Sequence, residues 1–195
     1  MKRLFGIFII AFIFLLYKIW AYPLIDADEP RYAEAAKEMI NAQQYLIPLA
    51  DGEYRFDKPI LFYWFEILSF KVFGINEFAA RLPSVIAGAL TVSFVYWLGH
   101  FYKVGLAAAL VLITGIEFFV VSRMSITDSL LNFAIVSVLI IYFLIKEKHI
   151  NERYIYLLAV CAALGFLTKG PIAILIPVMV GSIDFIINKG WKNYN

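Results

Sequence analysis

Pro59-Ile-Leu-Phe-Tyr-Trp-Phe-Glu-Ile-Leu-Ser-Phe-Lys-Val-Phe-Gly74 decides how the rest of the chain is arranged. The stretch is apolar and aromatic enough to enter a bilayer, yet it is only sixteen residues long and carries Glu66 and Lys71. A helix needs about 20 apolar residues to cross a hydrocarbon core of roughly 30 Å. Its rings, Phe62, Tyr63, Trp64, Phe65, Phe70 and Phe73, suit the headgroup zone, where amphipathic aromatic side chains settle. The stretch is therefore read as a helix lying in the interface. If it crossed, every later connection would change sides, and the membrane would separate Asp128 and Lys169 from Asp28.

On either side of this stretch the chain is dominated by apolar runs. It is 63% hydrophobic with a mean hydropathy of +0.80, which overrules the soluble one- or two-domain reading that 195 residues would suggest. Helical spans or near-spans are expected at approximately 4–22, 81–99, 104–121, 126–145, 153–168 and 171–187. Backbone polar groups in lipid are satisfied only by helices or closed barrels, and unbroken apolar runs lack the alternation of barrel strands. The expected fold is all-α: a polytopic transmembrane bundle of about six spans with two extracytoplasmic interfacial helices, residues 1–195 forming one membrane domain. The second interfacial helix is expected over 29–44. There Pro30 suits a first turn, and Tyr32, Ala35, Ala36, Met39 and Ile40 recur at helical spacing. Asp51-Gly52 marks a turn between the two.

Charge sets the orientation. Lys2, Arg3, Lys103, Lys146, Lys148, Arg153, Lys189 and Lys192 fall in short connections with few acids, whereas the equally many Arg31, Lys37, Arg55, Lys58, Lys71, Arg81, Arg123 and Lys169 lie mostly among acids, so the first set reads as the cytoplasmic side with the N-terminus on it. Met1-Lys-Arg3 before an apolar run resembles a secretory signal, but Trp20-Ala-Tyr-Pro23 offers no small-residue cleavage site, so a retained first helix is expected. Cys161 is the single cysteine and carries no message about redox compartment. The net charge of +2, with no basic tract, gives no reason to expect a nucleic-acid partner. No Gly-rich phosphate loop, paired-Cys site or metal-spaced His pair occurs, and His100 and His149 both fall on the cytoplasmic side.

The acids fall on the other side. Eleven of the fifteen carboxylates, Asp128 and the ten from Asp26 to Glu77, collect there, which makes the 23–80 loop the expected catalytic region. Asp26, Asp28 and Glu29 lie within four positions at the mouth of a hydrophobic helix, where a carboxylate must be hydrated, paired or used. Asp28 and Glu29 could instead cap the helix over 29–44. Asp26-Ala-Asp28 also has the form of an Asp-x-Asp metal signature, two hard oxygen ligands suited to a divalent cation, and a metal there stays open. Glu117, in mid-span, is expected to face the bundle or a cavity. With Lys18 it is the feature that would suit a transporter-like bundle, against which the charges concentrate at one face.

In chain order, Asp28-Glu-Pro-Arg-Tyr-Ala-Glu34, Glu38-Met39, Asp57-Lys-Pro59 with Tyr63-Trp64, Glu77-Phe-Ala-Ala-Arg-Leu-Pro83, Arg123 with Thr127-Asp128, and Leu167-Thr-Lys-Gly-Pro171 form an ordered set. Together they resemble the N-terminal half of the GT-C class of lipid-phosphate-sugar-dependent glycosyltransferases, in the superfamily of lipid A aminoarabinose transferases and protein O-mannosyltransferases. The resemblance covers nearly all of the chain. It implies transfer of a sugar from a polyprenyl-phosphate donor to a lipid, glycan or protein acceptor, on the extracytoplasmic face of the cell (inner) membrane. Asp28 matches the family's catalytic aspartate. Lys58, set by Pro59 at a helix start, is the first expected phosphate contact, followed by Arg31 and Lys169. Asp128 would fix a cation or the sugar, and Glu29 is grouped with the substrate contacts. Members of the family continue through further membrane helices and a C-terminal soluble portion. The chain is thus expected to be a fragment, an inactive remnant, or a half completed by a separately encoded C-terminal partner.

Overall fold

Apolar runs become helices and the polar segments between them become the turns. The computed structural model describes residues 2–25 and 27–187, so Asp26, Lys189 and Lys192 lie outside the described residues. The helices are α1 (Lys2–Leu16), α2 (Asp28–Asn41), α3 (Leu61–Phe73), α4 (Glu77–Phe101), α5 (Gly105–Thr114), α6 (Ile116–Val121), α7 (Thr127–Lys146), α8 (Ile155–Lys169) and α9 (Ile172–Ile187). Among the described residues, α4 and α7 are long and apolar enough to cross a membrane unaided, while α5 and α9 are shorter apolar helices.

α4 is the central element. It packs against α1, α3, α5 and α7, and α7 in turn packs against α8 and α9. Its start is fixed by Asn76, whose side-chain oxygen accepts the Ala79 N–H at 2.9 Å, an N-cap hydrogen bond. Gly88 permits the close approach of α1 and of the turn after α6. A Cβ there would meet Ser122 Cβ at 2.7 Å and Leu15 Cδ1 at 3.1 Å.

α2 and α3 sit where α4 and α7 begin, packed on one another around Tyr32, Met39, Phe62, Tyr63 and Phe70. Between them the strands β1 (Leu49–Ala50) and β2 (Glu53–Tyr54) pair antiparallel around Asp51 and Gly52, both at positive φ (54° and 78°). This is the conformation that Asp-Gly favours in tight hairpins. The Asp51 and Gly52 N–H groups donate to the Glu38 carboxylate at 3.0 and 3.1 Å, tying the hairpin to α2.

Two expected helices are shorter than the hydropathy suggests. The first ends at Leu16, not near residue 22, and the chain turns through Lys18 at φ 57° because the carbonyls beyond it are drawn to Arg81. The run over 104–121 breaks at Gly115, which takes an extended ψ of 122° after the Thr114 hydroxyl has donated back to the Leu110 carbonyl at 2.7 Å. Glu117 then lies exposed at the start of α6, and Lys18 is exposed as well. Both sit on the outside of the bundle, which corrects the expectation that Glu117 faces inward.

Gly88→Leu should lower thermal stability by about 1–3 kcal/mol, the scale of overpacking a tight helix contact. Gly6→Ala, with nothing within 4 Å of its added Cβ, should leave it unchanged or slightly raised. Unfolding curves of the two variants in one detergent check both expectations.

Candidate active site

The two acids that open α2 take separate directions. Glu29 faces inward and is 0% exposed. Arg81, also 0% exposed, grips it with two parallel hydrogen bonds, Nε to Oε1 at 2.9 Å and Nη2 to Oε2 at 2.8 Å. The backbone N–H groups of Ile25 and Ser125 complete the carboxylate at 2.8 and 2.7 Å. Arg81 gives its other donors to the carbonyls of Ile19, Tyr22 and Pro23 at 2.7, 2.9 and 2.8 Å. All five guanidinium N–H bonds are used. A buried ion pair is tolerated only when its remaining donors and lone pairs are satisfied, and here they are. Assigning Glu29 to substrate contact is therefore corrected, since the protein's own donors occupy both of its oxygens.

Asp28, one residue earlier, projects outward. Its side chain is 59% exposed and stands 3.8 Å from Arg31. The residue at the N-cap position is Ala27, and among the described residues no side chain caps the helix by hydrogen bonding, so Asp28 is not the cap. Because Glu29 locks the first turn of α2 to α4, the direction in which Asp28 points is set by a buried neighbour.

A second buried acid, Glu66 on α3, accepts the Ser125 hydroxyl at 2.5 Å. Among the described residues its other oxygen has no partner, nor have the hydroxyls of Tyr63 and Ser69, one turn to either side. Burial holds the Glu66 carboxyl well above the usual carboxylate range, the Ser125 hydrogen bond opposes this, and nearby Glu29 adds to it. Ser125 thus joins Glu29 and Glu66 through one backbone N–H and one hydroxyl.

The start of α7 and the end of α8 reach the same end of the bundle. Lys169 donates to Asp128 at 2.6 Å in a half-exposed ion pair. Burial raises the phenol of Tyr32 on α2, an effect that the Thr127 hydroxyl opposes and the carboxylates of Asp28 and Asp128 reinforce. Tyr32 consequently stays a neutral hydroxyl between the two acids. Lys58 is half-buried and makes no hydrogen bond or ion pair among the described residues, while its neighbours Arg55 and Asp57 pair with each other at 2.9 Å. The structure therefore joins Asp128 to Lys169 and Asp28 to Arg31, and leaves Lys58 apart from both. No group of three or more His, Cys, Asp or Glu gathers for a metal among the described residues. Asp26 lies outside them, so the Asp26–Asp28 pair carries no metal assignment.

Below this polar end an apolar cavity of about 450 Å³ opens between α3, α4, α7 and α8, lined by Phe65, Leu68, Ile86, Phe133 and Leu164. Thr168 and Leu130 also line it, so the cavity reaches to within two residues of Lys169 and Asp128.

Residues 57–194 match the dolichyl-phosphate-mannose-protein mannosyltransferase family. The chain belongs to this family. Among curated relatives, it is 31% identical over 205 residues to the undecaprenyl phosphate-alpha-4-amino-4-deoxy-L-arabinose arabinosyl transferase of Edwardsiella ictaluri, covering 99% of this chain and 37% of that protein. An uncharacterized protein of Aquifex aeolicus is 33% identical over 181 residues, covering 91% of this chain and 41% of that one. The fold is shared with the crystal structure of ArnT from Cupriavidus metallidurans bound to undecaprenyl phosphate, at a TM-score of 0.83 and 21% identity, over 99% of this chain and 36% of ArnT. The apo structure of ArnT gives a TM-score of 0.85 at 20% identity. The chain thus spans well under half the length of these curated relatives.

Sequence reasoning missed the hub residues Arg81, Ser125 and Glu66. Arg81 enters the sequence reading as one member of an ordered motif without a role of its own, and Glu66 as an obstacle to spanning. For Arg81 and Glu66 the sequence signal is a charge placed where the pattern demands an apolar residue, while Ser125 offers none.

Arg81→Ala should destabilise by about 3–5 kcal/mol, because Glu29 would be left as an unpaired buried charge. Glu66 should behave oppositely. Neutral when folded and ionised when unfolded above its ordinary value of 4.5, it lowers stability progressively as pH rises from there toward its raised value. Glu66→Gln should flatten that decline and leave the fold intact, as thermal unfolding across pH would show.

Proposed function

We propose that the chain provides the donor site and acid–base residues of a glycosyltransferase that takes a sugar from a polyprenyl-phosphate donor. The observation that carries this reading is the meeting of an apolar cavity with a ring of fixed charge at one end of the bundle. Lipid chain, phosphate and sugar need those two environments in contact. ArnT, which shares the fold, has been crystallised with undecaprenyl phosphate, and the relative from Edwardsiella ictaluri is named for an undecaprenyl-phosphate aminoarabinose donor.

In this reading the polyprenyl chain enters between α3 and α4, beside Phe65, Leu68 and Ile86, with its phosphate at the polar end. Departure of the polyprenyl phosphate leaves a doubly charged anion, and preorganised cations stabilise charge as it develops. Lys58 is the best-placed donor because no carboxylate of this chain neutralises it among the described residues. Lys169 is already held by Asp128, which orients its ammonium, and Arg31 stands over Asp28. Asp28, exposed and free of a capping role, takes the proton of an attacking hydroxyl. When the acceptor oxygen is already an ionised phosphate, no strong base is needed, and Asp28 orients the acceptor. Acceptors are lipids, glycans or proteins carrying such groups.

The same reading gives a multi-pass inner-membrane bundle of about six spans with a cytoplasmic N-terminus, and α2 and α3 in the extracytoplasmic interface. At 13 residues α3 is about 20 Å long, shorter than α1, α4, α7, α8 and α9, and it carries the charged side chains Glu66 and Lys71, which supports an interfacial position. In a Cys161→Ser background, cysteines at the exposed positions Gly52 and Pro171 should react with an impermeant thiol reagent applied outside, and one at Asn151 should not. Labelling of Gly52 without Pro171 would put α3 across the membrane and dismantle the shared site.

Transfer measured in membranes should fall about 10²-fold or more in Asp28→Asn at unchanged protein level, the scale of a general base. Undecaprenyl phosphate binding to the purified chain should weaken by about 10²-fold in Lys58→Ala and recover in part in Lys58→Arg. Full transfer by Asp28→Asn would return that residue to a structural role and shift the search for the base to Asp128.

A further inference from the structure

The opposite end of the bundle carries a basic cleft, away from the Asp28 end. α1 begins there and α4 ends there, with the 25 residues of α4 setting it roughly 35 Å from the Glu29 end. Two adjoining hollows of about 450 and 470 Å³ flank the α1–α4 seam, and Arg3, Tyr96 and His100 line both. Lys103 lines the first and Lys2 the second, and among the described residues no carboxylate lines either. Neither lysine nor Arg3 makes an ion pair among the described residues, whereas Lys146, near the same end, is held by Asp184.

The cleft has a rigid frame. α5 is pressed so tightly onto α4 that a Cβ on Gly105 would lie 2.7 Å from the Tyr96 carbonyl oxygen. Lys103 occupies the turn between them at φ 60°, which fixes where its side chain starts. The close packing also brings the first turn of α5, with its unsatisfied N–H groups, to the hollow that Arg3 enters from the first turn of α1. The last turn of α4, whose carbonyls carry the opposite sign, lines both hollows as well, so the positive character of the cleft comes from its side chains. Along the bundle the first hollow continues as an apolar wall of Ile7, Ile10 and Leu106, of which Ile10 and Leu106 are 66% and 58% exposed.

We propose that this cleft binds the phosphate headgroup of an anionic phospholipid, with Arg3 and Lys103 as its main contacts and the apolar wall holding the first part of an acyl chain. Basic pockets between helices at the membrane surface are suited to such headgroups. A zwitterionic lipid brings a cation of its own and gains little from the cleft. Inorganic phosphate offers the same oxygens but leaves the wall of Ile7, Ile10 and Leu106 uncovered, so the lipid is the better fit. The inference is independent of the transferase reading, since none of these residues touches the Asp28 end.

Native mass spectrometry of the full chain, released from detergent with equimolar phosphatidylglycerol and phosphatidylcholine, tests the proposal. Phosphatidylglycerol should be retained in clear preference. Each cation near an anionic headgroup is worth roughly fivefold in affinity, so Arg3→Gln with Lys103→Gln should weaken retention by about 30-fold. Arg3→Lys with Lys103→Arg should retain the lipid, which separates lost charge from lost fold. Arg153→Gln, exposed in another loop, should change nothing. Equal retention of the two lipids, or a double variant no weaker than Arg153→Gln, would overturn the proposal. Displacement of phosphatidylglycerol by millimolar inorganic phosphate would overturn the lipid assignment in favour of the free ion.

Discussion

The buried grip of Arg81 on Glu29 is the interaction from which the rest of this structure is arranged. One guanidinium closes the exit of α1, the start of α2 and the first turns of α4 into a single joint, and Ser125 adds the turn before α7. Charges this deep are costly, and their cost is offset only because every donor is matched by a protein oxygen. The same completeness makes the joint rigid, since no arrangement with one segment moved away would keep all the partners. Asp28 inherits its position from this joint while keeping its own side chain in the open.

Much of the architecture was legible in the sequence, and what was not follows a physical pattern. Hydropathy located the helices, and Asp51-Gly52 located the hairpin, because both depend on residues near one another along the chain. The membrane-transferase family was legible from the ordered motifs, and the profile match over residues 57–194 bears it out. Helix ends were misjudged where distant groups intervene. The segment after Leu16 is apolar enough to continue α1, but its carbonyls are taken by an arginine some sixty residues later. Glu29 was read with Asp28 as one acidic cluster. Adjacent positions on a helix face different ways, and only the fold decides which of the two acids goes inside.

The polar end and the cavity below it place unlike solvation environments in direct contact. Thr168 lines the apolar cavity while its neighbour Lys169 pairs with Asp128. A ligand made only of hydrocarbon or only of charge would use half of this arrangement. Glu66, Tyr63 and Ser69 mark the boundary on the α3 side, with hydrogen-bonding capacity that the described residues leave unused.

The joint at Arg81 also divides the chain into positions that evolution can alter freely and positions that it cannot. Ile19, Tyr22 and Pro23 contribute carbonyl oxygens, which every amino acid possesses, so drift in those side chains leaves the contacts in place. Arg81 has no such latitude. A lysine in its place would supply three donors where five are required and no planar fork for the carboxylate. Related chains should therefore vary widely between α1 and α2 while keeping one arginine and one glutamate, an asymmetry set by whether a contact is made by backbone or by side chain.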